Sequence, residues 1–149
     1  MVQAPPSLQV TLAQAESARD SAQWEQAVHF YTQLEKALPQ SSEIKHNLGL
    51  VYFGWGKLQE ALQWCAHALI LNPDLWQSAV IVSRANKEMG QMEAAQRGFQ
   101  SLLNHPVADP QARLGLADLA MNQFGDPLQA IALVKPLARD PQYLSLIHI

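Results

Sequence analysis

The chain has 149 residues, 48% hydrophobic and 15% charged, with a net charge of -3. This composition suits one hydrophobic core and excludes a disordered chain or a strongly basic nucleic-acid binder. The single cysteine, Cys65, closes no intrachain disulfide and no apolar run approaches a bilayer span, so a cytoplasmic protein without membrane insertion is expected.

Residues 1–6 read as an N-terminal extension without the basic start of a secretory signal. The first of four similar segments covers 7–41 and contains Trp24-Glu-Gln-Ala27. The second, 42–75, places Ile44, Leu48, Val51 and Tyr52 on one helical stripe and Leu58, Leu62, Cys65 and Leu69 on the next. The third covers 76–109 and the fourth 110–143. Gly56, Gly90 and Gly125 sit where each hairpin turns. Asp109-Pro110 and Asp126-Pro127 each set a capping acid before a proline in a first helical turn. Pro136 lies inside the expected last helix, 128–139, and predicts that this helix is bent or divided.

The segments share a register. Ala27, Ala61, Ala95 and Ala130 follow one another at 34, 34 and 35 residues, and Tyr31, Cys65, Phe99 and Val134 each come four positions later. A period of this size marks stacked helical hairpins, none of which buries its apolar faces alone.

The copy at 42–75 resembles the tetratricopeptide repeat family. Leu48-Gly49, Tyr52, Gly56, Ala61, Ala68 and Pro73 fall at the family's spacings, with Lys45 where tryptophan is usual. The other copies resemble it more loosely. The resemblance implies an all-α fold, a right-handed α-solenoid of about four antiparallel helical hairpins. It implies a scaffold that binds a protein or peptide in a concave groove lined by the first helix of each hairpin. The groove residues so implied are Glu16 and Arg19, then Glu43, His46, Asn47, Leu50 and Phe53, then Gln77, Arg84 and Lys87, and finally Asp118 and Met121. Among them Leu50 and Phe53 are expected as exposed apolar groups.

Two ligand-holding patterns of the family are missing. The carboxylate clamp of co-chaperone repeats would fall on Leu12, Glu16, Asn47, Gln77 and Ile81, where only Asn47 matches and Glu16 would repel an acidic terminus. The asparagine ladder of O-linked N-acetylglucosamine transferases would fall on Ala13, Asn47, Ile81 and Gly115, again a single rung.

No phosphate-binding glycine loop, nucleophile elbow or His-Glu-x-x-His motif occurs, and the five histidines form no i, i+4 pair. The segment is therefore expected to carry no catalytic residue, cofactor or metal. Cys65 is expected to be an inert core thiol. Trp64 and Trp76 are expected to brace helix junctions, and Trp24 begins a second helix where the resemblance implies a packed aromatic or leucine. Trp55, beside Gly56, could anchor a partner or pack on a neighbouring loop.

Residues 144–149, Leu-Ser-Leu-Ile-His-Ile, alternate like a strand after Asp140-Pro141 has signalled a new helix. They resemble a translated frame of a transposase adaptor used in sequencing libraries. The expectation is a non-native tail on a chain that continues past Tyr143, the alternative a genuine frayed C-terminus. On that reading the alternative function is the N-terminal recognition arm of a larger bacterial enzyme, such as a glycosyltransferase.

Overall fold

Some helix starts follow from hydroxyl and carboxylate side chains placed one residue ahead of the helix. The computed structural model describes residues 7–142. These contain α1 (Leu8–Asp20), α2 (Trp24–Ala37), α3 (Ser42–Gly54), α4 (Leu58–Leu71), α5 (Trp76–Glu88), α6 (Met92–Ser101), α7 (Asp109–Asn122) and α8 (Pro127–Val134), then a 3-10 turn, Leu137–Arg139. Helices and turns are the only regular structure among the described residues. The expectations for residues 1–6 and 143–149, the non-native tail included, lie outside them.

Ser7, Ser41 and Asp126 cap α1, α3 and α8 by accepting hydrogen bonds from the amides of Val10 (3.2 Å), Ile44 (3.3 Å) and Gln129 (3.1 Å). Each satisfies one of the amide donors that a helix start leaves unpaired. The cap expected at Asp109 is different. Asp109 is the first residue of α7, behind Ala108, and its carboxylate instead takes the amide of Asn104 at 2.6 Å and the Arg113 Nε at 2.8 Å. It thereby ties the preceding loop to the helix.

Within three hairpins the turn occupies 21–23, 55–57 and 89–91, and its middle residue is left-handed: Ala22 (φ 57°), Gly56 (φ 83°) and Gly90 (φ 82°). Gly125 (φ 60°) makes the fourth turn. Glycine adopts this conformation without strain, so Ala22 is the exception. Pro136 divides the last helix as its ring requires. α8 stops at Val134, and the chain continues as a 3-10 turn.

The described residues form two compact units, Met1–Ile81 and Val82–Ile149, with the division inside α5. In the first, α1 packs on α2, α2 on α3 and α3 on α4. Its core joins Ala15, Ala18, Ala27, Tyr31, Leu34, Ile44, Leu48 and Val51, flanked by Trp24 and Trp64. Alanines on α1 and α2 let the backbones approach, and Tyr31 fills the space they leave. Gly49 has the same role between α3 and α4, where a Cβ would run into the Cys65 sulfur. In the second unit α6 packs on α7 and α7 on α8. Ala117, Ala120, Ala130 and Val134 form one core cluster there. Gly115 lies against the ring of Phe99, whose atoms would meet a Cβ at 2.5 Å.

Candidate functional site

In the first unit the implied ligand residues stand on α1, α3 and the start of α5. Arg19 and Asn47 do not project independently. The Arg19 guanidinium donates to Tyr31 Oη at 3.1 Å and to Asn47 Oδ1 at 3.2 Å, and its Nε pairs with Asp20 at 3.1 Å. Tyr31 is fully buried, so this bond satisfies a phenol that has no access to water. Burial pushes the Tyr31 hydroxyl's pKa up from its usual 10.0, with Arg19 pulling the other way.

His46 is half-buried on α3, and its Nδ1 lies 2.8 Å from Oγ of the fully buried Ser78 on α5. The thiol of Cys65 is completely buried. Burial pushes the thiol up to about 12, as expected of an inert core cysteine. Burial also lowers His46 below its usual 6.5. The Arg19 cation adds to that effect and Glu43 opposes it.

Leu50 and Phe53, expected to be exposed, are both half-buried. Glu16, Glu43 and Gln77 are exposed, while Ile81 of the clamp and ladder positions is buried. Trp55 packs. Its ring stacks on Tyr52 at 6.2 Å between centroids, and Lys57 Nζ lies 3.9 Å from the Trp55 centroid. Trp24 meets the backbone of Gly54, and Trp64 packs on the core, with Lys45 Nζ 5.5 Å from its ring centroid.

In the second unit Arg84, Lys87 and Asp118 come together around a concavity of about 450 Å³. Phe99, Leu114 and Gly115 give it an apolar floor, and Gln111 completes the lining. Lys87 and Asp118 form an ion pair at 3.1 Å across it. Met121 is exposed and does not line this concavity.

Sequence reasoning missed Ser78 and the Phe99 floor. Ser78 lies 32 residues from its partner His46, and no motif spacing links them. Phe99 is legible only as core, because a buried ring lining a hollow looks in sequence like any other buried ring.

A tetratricopeptide repeat family model matches residues 12–75. No curated protein matches the sequence. Several solved structures do resemble the chain. The Arabidopsis OM64 TPR domain is 19% identical with a TM-score of 0.72, covering 78% of this chain and 96% of that one. The second TPR domain of human RPAP3, solved in complex with the HSP70 peptide SGPTIEEVD, is 20% identical with a TM-score of 0.67, covering 72% and 89%. MamA is 19% identical with a TM-score of 0.75, covering 87% and 75%. At such identities the likeness concerns the fold, and it agrees with the helix order and turn register described above. A tetratricopeptide repeat model thus matches residues 12–75, and the likeness to these solved structures is one of an all-α helical-repeat fold.

Proposed function

We propose that this chain is a scaffold that binds a protein or peptide through the accessible faces of α1 and α3 in its first unit and the concavity between α5 and α7 in its second. The observation that carries the reading is that concavity. An apolar floor of Phe99, Leu114 and Gly115 lies beneath Arg84, Lys87 and Asp118, which suits an apolar side chain flanked by polar backbone. In support, human RPAP3's second TPR domain, which shares the fold, was solved with a bound peptide.

The clamp that would hold an acidic C-terminus is not reproduced, since Glu16 stands exposed where the family's pattern would carry a cation. Random-sequence peptides selected on the intact chain test the proposal. Phe53→Ala and Arg84→Ala should each weaken the selected peptides by roughly 5–30-fold, as for anchors at an interface. Selected peptides that bind both variants as tightly as the parent would overturn it.

A further inference from the structure

The turns of the first two hairpins, 21–23 and 55–57, contribute to one hollow of about 350 Å³ lined by Gln23, Trp24, Glu25, Gln26 and Trp55. None of these is among the ligand residues that the repeat pattern implies. Both tryptophans are half-buried and the other three residues are exposed. The hollow is therefore a dish on the surface and not an enclosed cavity. Among the described residues no cation pairs with Glu25.

Packing alone does not require this set. One repeat later the positions of Trp24, Glu25 and Trp55 hold Leu58, Gln59 and Met89, which serve an equivalent helix start and turn. Trp24 lies against Gly54, where a Cβ would meet its ring at 2.7 Å. Tyr52 stacks on Trp55 with 6.2 Å between centroids and planes 9° apart. Parallel rings at that separation are offset, so part of the Trp55 face stays uncovered. Lys57 Nζ, 3.9 Å from the Trp55 centroid, shows what this ring attracts. Neither Tyr52 nor Lys57 lines the hollow, so the Trp55 surface that does is left by both.

The charge around the hollow is negative. Glu25 lines it, and burial followed by the field of Glu60 raises the Tyr52 hydroxyl above its usual 10.0, which sets a second carboxylate nearby. Lys57 stands against these two acids. Indole faces attract a cation through their quadrupoles, and a carboxylate adds its charge. We propose that this hollow is a docking site for a cationic side chain, arginine or lysine, presented by a partner protein, with Trp24 and Trp55 as its walls and Glu25 as its counter-ion. An open dish suits a side chain delivered by a larger surface. The site is separate from the concavity between α5 and α7, so the two readings stand or fall independently.

Nitrogen-15 NMR of the intact chain tests the proposal through its indole N–H signals, assigned with Trp24→Phe and Trp55→Phe. The probe is a capped peptide, Gly-Ser-Arg-Ser-Gly, compared with its lysine version and with one carrying citrulline, a neutral isostere of arginine. The two cationic peptides should move the Trp24 and Trp55 signals and leave those of Trp64 and Trp76 in place. The citrulline peptide should move none. Glu25→Gln and Trp55→Leu should each weaken the arginine peptide by roughly 2–5-fold. Lys57→Gln removes a competing cation from the Trp55 ring and should tighten the arginine peptide by about twofold. Glu25 and Lys57 are both exposed, so these two variants leave the core intact. Equal shifts with citrulline would reduce the hollow to apolar contact and overturn the proposal. So would an affinity unchanged by Glu25→Gln, an affinity lowered by Lys57→Gln, or an arginine peptide that moves neither indole.

Discussion

The Arg19 guanidinium on α1 donates to Asn47 Oδ1 on α3 at 3.2 Å while also holding the buried Tyr31 hydroxyl at 3.1 Å. One side chain thus joins the first helices of two successive hairpins and satisfies the polar group in the core beneath them. The repeat pattern marks both residues as ligand contacts, yet both are already engaged in the fold.

Removing either should therefore reduce stability before it affects binding. Arg19→Ala leaves the Tyr31 hydroxyl buried without its partner and should cost about 1–3 kcal/mol, the range for an orphaned buried polar group. Asn47→Ala should cost about 0.5–1.5 kcal/mol. Urea unfolding measures both, and a double-mutant cycle should show coupling because the two side chains share one bond. Strict additivity would contradict the network.

Ala22 occupies the left-handed turn position that glycine takes at 56 and 90. A Cβ there is strained, so Ala22→Gly should stabilise the chain by about 0.5–1 kcal/mol, strain relief exceeding the added freedom of the unfolded state. The converse, Gly56→Ala, should destabilise by a similar amount from backbone alone, since nothing lies within 4 Å of the added carbon. Thermal midpoints of the two variants should move in opposite directions.

Gly49 is a different case. In an open helix Gly→Ala would gain roughly 0.5–1 kcal/mol. Here the added carbon meets the Cys65 sulfur, and the Ala61 carbonyl and Cys65 amide lie at 3.2 Å, so the backbone of α4 would have to move. Gly49→Ala should accordingly destabilise by about 1–3 kcal/mol. Adding Cys65→Ala should recover part of the loss but not all, because the backbone contacts remain. Full recovery would show that the sulfur alone sets the helix spacing.

Cys65 should be nearly inert in the folded chain. It is 0% exposed and its thiol is pushed up to about 12, so little thiolate forms at pH 8. Alkylation should be more than about a hundredfold slower in buffer than in urea. Comparable rates would mean that the α3–α4 hairpin opens readily.

His46 should make stability depend on pH. Its folded value lies below the 6.5 of the unfolded chain, so between the two values the unfolded state binds more protons. Stability is thus greatest above pH 6.5 and falls as pH drops through the lowered value. His46→Gln should flatten that part of the profile relative to the parent in urea midpoints taken between pH 7.5 and 5. Parallel profiles would assign the acid sensitivity to other groups.

The sequence by itself determined what depends on neighbours along the chain. Its period placed the helices, Gly56, Gly90 and Gly125 marked the turns, and Pro136 ended the last helix, because capping, left-handed turns and the proline ring act within a few residues. It also put Ile44, Leu48, Val51 and Cys65 on helical stripes that are buried, since burial of such a stripe follows from spacing. Only the tertiary structure decided what the candidate ligand residues do. Arg19 meets an asparagine 28 residues away and His46 a serine 32 residues away, pairings that no local rule fixes. A helix's stripe tells which side faces inward. Whether a polar side chain at its margin turns to solvent or to a neighbour depends on a partner that only packing brings within about 3 Å.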